Sequence, residues 1–106
     1  MNKTSKSTPM TIEAFKESLS SEKVPTGLSV HLQALWYDAK GDWDKAHGLI
    51  DSLPDKDSAY LHAYLHRKEG DMGNAGYWYN KAGKLFSSKT LEEEWEELLH
   101  SFLQKD

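Results

Sequence analysis

His62 and His66 stand four residues apart in the stretch SAYLHAYLHRKE, which spans 58–69. In a helix that spacing puts both imidazoles on one face, one above the other. Two ring nitrogens so placed are the beginning of a site for a divalent metal ion. Glu69, three residues beyond His66, adds an oxygen, and His47 can complete the site from a different helix. The nearest catalytic pattern is H-E-x-x-H, in which the glutamate is the general base. Residue 63 is Ala, so that base is missing. The competing reading is structural: an imidazole is also a flat, half-polar packing residue that bonds a Tyr hydroxyl or a backbone carbonyl. Packing is the preferred of the two readings, and a metal-binding protein or small enzyme using His62 and His66 is the alternative. His31 and His100 read as surface or partly covered residues.

Other patterns offer less chemistry. The run from Gly70 to Gly76, GDMGNAG, opens a helix as a phosphate-cradling loop does. It lacks the dinucleotide fingerprint and no strand precedes it, so a tight turn with glycines at a close helix crossing is preferred. Glu92, Glu93, Glu94, Glu96 and Glu97 complement a helix N-terminus and solvate one face. No Ser sits in a nucleophile elbow. With no cysteine in the chain, disulfides, thiolate zinc sites and Cys nucleophiles are excluded. No catalytic residue, resident metal or cofactor is assigned from the sequence.

The elements that must position these residues follow from a repeat. Shifting the chain by 29 residues lays Gly41 on Gly70, and with it Leu32 on Leu61, Ala34 on Ala63, Asp42 on Asp71 and Ala46 on Ala75. Each unit carries small residues for close helix approach. Each then has a glycine that ends one helix in the left-handed conformation and an Asp that caps the next. The same alignment pairs His62 with Gln33 and His66 with Tyr37, positions directed toward neighbouring helices. Helices are expected over about 28–40, 43–53, 58–69 and 72–86, making two hairpins over 28–86. A first helix carries Ile12, Phe15 and Leu19 and ends at Val24-Pro25-Thr26-Gly27. A last helix over 90–105 opens on the capping box Thr90…Glu93 and places Leu91, Trp95, Leu98, Leu99, Phe102 and Leu103 on one face. Residues 1–8 read as a loose arm. No window alternates as a strand does, so the fold class is all-α.

The turn and helix start Gly41-Asp42-Trp43-Asp44-Lys45-Ala46 resembles a tetratricopeptide repeat. Gly76-Tyr77-Trp78-Tyr79-Asn80-Lys81-Ala82 is similar to the second-helix ending of those repeats and of their shorter Sel-type relatives. The likeness covers about half the chain. The period is shorter, Pro54 has no counterpart after Ala82, and two units are present. In overall style the chain also resembles small helical proteins of bacteria. The resemblance implies tetratricopeptide-like hairpins between an N-terminal helix and a C-terminal cap, with the first helix of each pair lining a concave face. On that face it implies a binding surface of His31, Leu35 and Asp38 beside Tyr60, Tyr64 and Arg67, suited to a protein or peptide partner. The function expected is a non-enzymatic interaction module, with a homodimer as a further arrangement.

At 106 residues the chain is expected to form one domain, and 11% aromatic residues including four Trp can furnish its core. A net charge of −4 argues against a broad nucleic-acid-binding face. No apolar run approaches the ~20 residues of a membrane span, and no secretory signal is visible at the start. The expected location is cytoplasmic.

Overall fold

The computed structural model describes residues 10–105, and the expected arm over 1–8 lies outside them. Six helices follow one another: α1 (Ile12–Ser18), α2 (Val30–Ala39), α3 (Trp43–Ile50), α4 (Lys56–Lys68), α5 (Met72–Ala82) and α6 (Leu91–Lys105). The described residues contain no strand, so they are all-helical. None of their helices is long and apolar enough to cross a membrane.

Short polar residues start these helices by accepting a backbone N–H three positions on. Thr11 takes that of Ala14, Ser29 that of Leu32, Asp42 that of Lys45, Asp55 that of Ser58 and Asp71 that of Asn74. At α6 the capping box is reciprocal: Glu93 N–H donates to Thr90 Oγ1 at 3.1 Å and Thr90 N–H to Glu93 Oε1 at 3.0 Å.

The α2–α3 and α4–α5 corners have the same construction. Gly41 and Gly70 sit at φ +87° and +88°. The next N–H reaches back over the helix end, Asp42 to the Tyr37 carbonyl and Asp71 to that of His66, both at 2.9 Å. A left-handed residue with a Cβ costs about 1–2 kcal/mol, and β-branching adds to it. Gly70→Val is therefore expected to lower the unfolding free energy by about 2 kcal/mol in urea titration, with Gly70→Asn losing less. An unchanged midpoint for the Val variant would contradict the corner.

Across those corners α2 lies along α3, and α4 along α5. Ala34, Ala46, Ala63 and Ala75 are all fully buried where the helices approach. Helix α6 packs on α1, α2 and α4, and its Leu98, Leu99 and Phe102 close a core with Phe15, Leu32, Leu35, Trp36, Ile50, Leu61 and Leu65. Tyr79 joins Ala63 and Ala75 in a smaller cluster between α4 and α5.

Three helices stop earlier than their sequence patterns predict; α1 ends at Ser18, with Leu19 as its C-cap, and not at Val24-Pro25-Thr26-Gly27. α3 stops at Ile50, leaving Asp51 to Asp55 as the link to α4. α5 stops at Ala82 because Gly83 turns left-handed at φ +73°, so the predicted last turn to Phe86 is loop instead. Leu85 is consequently 92% exposed.

Candidate functional site

Of the six residues expected to line a binding face, His31, Leu35, Tyr60 and Arg67 bond or pack against α6, while Asp38 and Tyr64 bond each other. Leu35, Asp38 and Tyr64 are buried. The Leu35 carbonyl accepts from Trp95 Nε1 at 3.2 Å. Asp38 accepts from the Tyr64 hydroxyl at 2.8 Å and from Lys68 Nζ at 2.9 Å. Tyr60 donates to Glu97 at 3.1 Å, and Arg67 Nη1 to the buried Glu94 at 2.7 Å. Tyr79 also donates to Glu94, and Arg67 to the Lys89 carbonyl. His31 meets Asp55 and Ser58, each at 2.9 Å, and packs on Phe102. Burial and then the Asp38 carboxylate hold the Tyr64 phenol above its ordinary pKa. The polar groups of this face are thus partnered within the chain. Beside them a cleft of about 470 Å³ stays open between α1, α2, α4 and α6, walled by Leu19, Leu91 and Trp95.

The histidines form a second constellation, on the other side of α4. α3 supplies His47, while α4 supplies His62 and His66 one turn apart. Their positions are set by aromatic stacking. Trp43 lies flat on His47, with 4.8 Å between centroids and 10° between planes, and is itself anchored by its Nε1 donating to the Leu65 carbonyl at 2.8 Å. Trp78, from α5, lies flat on His62 at 3.9 Å, and His66 stacks on His62 at 4.9 Å. His62 is only 3% exposed.

The hydrogen bonds of the cluster are chemically specific. His47 Nε2 and His62 Nε2 are 2.9 Å apart, so one carries the proton and the other accepts it. His66 Nδ1 lies 2.7 Å from Glu69 Oε2. A carboxylate there holds Nδ1 as the donor and leaves Nε2 its lone pair, the arrangement that orients metal-bound histidines. Glu69 thus acts on His66 rather than as a further oxygen at the centre of the cluster. Burial, reinforced by the two neighbouring imidazoles and opposed by Asp51, lowers the pKa of His62 from 6.5 to about 4. It is neutral at neutral pH, the protonation state in which imidazole binds metal.

One ring nitrogen from each of His47, His62 and His66 falls within a set whose members lie no more than 4.8 Å apart. These rings bond one another and Glu69, and they also pack flat on Trp43 and Trp78.

Sequence reasoning overlooked three contributors. Asp51 places Oδ1 3.6 Å from His62 Nε2 and 3.8 Å from His47 Nε2. Its signal was available, because His47 and Asp51 have the same four-residue spacing as His62 and His66. Trp43 and Trp78 gave no signal beyond being apolar. The glycine-rich turn holds its own counter-charge: the Asp71 carboxylate takes the Asn74 N–H, a group that a phosphate would need.

The chain matches no family model, no curated protein and no solved structure, so the chemistry of this cluster is read from its own residues.

Proposed function

We propose that this protein binds one divalent transition-metal ion through His47, His62 and His66. The observation that carries the reading is the convergence of three imidazoles from two helices, at least one held neutral and another oriented by a carboxylate. Imidazole ligands without thiolate suit zinc, copper, nickel or iron, and tetrahedral zinc places its nitrogens about 3.3 Å apart at 2.0–2.1 Å from the ion. His47 Nε2 and His62 Nε2, 2.9 Å apart, are near that spacing, and a ring nitrogen of His66 lies within 4.8 Å of both. The test is elemental analysis of purified protein and calorimetric zinc titration, with His62→Ala alongside. One zinc per chain is expected, with affinity reduced at least about 100-fold in the variant while its helical circular dichroism is retained. Equal binding by both proteins, or none by either, would refute the assignment.

A second reading is favoured by the cleft beside α6. In it the chain is a tetratricopeptide-like interaction module whose protein or peptide partner, or a second copy, enters between Leu91, Trp95 and Tyr64. The like-built corners at Gly41 and Gly70 support that architecture. The cysteine-free sequence fits a reducing compartment, and we assign the protein to the cytoplasm on that ground.

A further inference from the structure

We infer that Asp51 is a ligand of the same ion and completes a three-nitrogen, one-oxygen site; this rests on the metal-binding reading of the histidine cluster. The distances among His47 Nε2, His62 Nε2 and Asp51 Oδ1 are 2.9, 3.6 and 3.8 Å. The two that involve the carboxylate are too long for hydrogen bonds. They are close to the edges of a coordination tetrahedron, about 3.3 Å. A triangle with these three sides has its centre about 2.0 Å from every corner, which is the zinc–nitrogen and zinc–oxygen bond length. The three atoms therefore frame a point that satisfies all of them at once. A ring nitrogen of His66, on the adjacent turn of α4, lies within 4.8 Å of those of His47 and His62 and is the fourth donor of the proposed set, its ring steered by Glu69.

Charge and placement favour the same assignment. Three neutral imidazoles leave a divalent ion with its full +2 beside the buried His62 and the half-buried Trp78 and Trp43, and one carboxylate reduces this to +1. That lowers the cost of holding the ion away from water. Among the described residues, Asp51 makes ion pairs only with His47 and His62. It is 58% exposed on its side chain, so it meets an incoming hydrated ion before the histidines do. It also begins the link from α3 to α4, so coordination ties that link to both helices. The ligand set is closed, with two donors four residues apart on each of two segments. A closed set of this kind holds its ion rather than presenting it to a substrate.

Cobalt(II) is the probe, because four-coordinate cobalt absorbs strongly in the visible and six-coordinate cobalt only weakly. Wild-type protein, Asp51→Asn and the charge-matched control Asp44→Asn are titrated with cobalt, and circular dichroism verifies that each is folded. The wild type and Asp44→Asn are expected to give the intense four-coordinate band. In Asp51→Asn the band should collapse and cobalt affinity fall by about 10- to 100-fold. If Asp51→Asn keeps both band and affinity, Asp51 is not a ligand, although the three-histidine site stands. If Asp44→Asn weakens binding as much as Asp51→Asn does and neither changes the band, Asp51 acts only through its charge and the inference fails. If the wild type binds neither cobalt nor zinc, the inference falls together with the reading beneath it.

Discussion

Replacing Arg67 with Met is expected to destabilise the folded protein by about 3–5 kcal/mol at neutral pH, the largest loss from any single polar side chain here. The reason is Glu94, a carboxylate with 0% exposure inside the contact between α6 and α4. Its charge is compensated by Arg67 at 2.7 Å and by the Tyr79 hydroxyl. Burial and then Glu94 raise the pKa of Tyr79, so that phenol keeps its proton and remains a neutral donor. Removing the guanidinium leaves a buried negative charge with one neutral partner. Urea unfolding should show the full loss in Arg67→Met and a partial recovery in Arg67→Met/Glu94→Gln, where the charge is gone and the shape remains. A loss below about 1 kcal/mol would mean that water reaches Glu94, and that Arg67 is free to act as the binding residue its place in the repeat implies.

The second large effect is a dependence of metal-free stability on pH. The pKa of His62 is about 4 when folded and 6.5 at its ordinary value. Below pH 6.5 the unfolded chain binds a proton that the folded chain refuses. Stability is therefore complete above 6.5, falls as the pH drops toward 4, and levels off below that for this group. At about 1.4 kcal/mol per unit, the loss approaches about 3.5 kcal/mol. The groups facing His62 are His47, His66, Asp51 and Trp78, of which only Asp51 favours its protonation. The lowered pKa values of Asp55 and Glu97 act below their ordinary values of 3.8 and 4.5, so they enter only at the bottom of the His62 window. In chelator-treated protein, unfolding free energies at pH 7 and pH 4.5 should differ more for the wild type than for His62→Phe, which keeps a flat ring against Trp78. Equal slopes would contradict the burial of a neutral His62.

How much of this was legible in the sequence depended on whether the signal was local. The starts of α3, α5 and α6 were, because an Asp or Thr cap acts on a backbone group three residues away, whereas α2 and α4 begin two residues from their expected positions. Gly41 and Gly70 were readable for the same reason. The end of α5 was not, because the apolar pattern runs on through Leu85 and Phe86 while Gly83 alone stops the helix. The pairing of His62 with His66 could be read from one helix. The approach of His47 depends on how α3 meets α4, and that of Trp78 on how α5 packs on α4; neither is encoded in spacing along the chain. Asp51 was passed over because an exposed acid at a helix end looks like any other solvated carboxylate. The residues assigned to a groove were read from the repeat, but nothing in their spacing shows that α6 packs against them. That packing comes from Trp95, Leu98, Leu99 and Phe102, which lie in or against the same core as Leu35 and Tyr64.

The most direct measurement is anomalous X-ray diffraction from crystals grown with one equivalent of zinc, recorded on both sides of the zinc absorption edge. The account predicts a single strong anomalous peak per chain, within about 2.0–2.2 Å of a ring nitrogen from each of His47, His62 and His66. A peak elsewhere, or no peak while the three rings keep bonding one another, would contradict it.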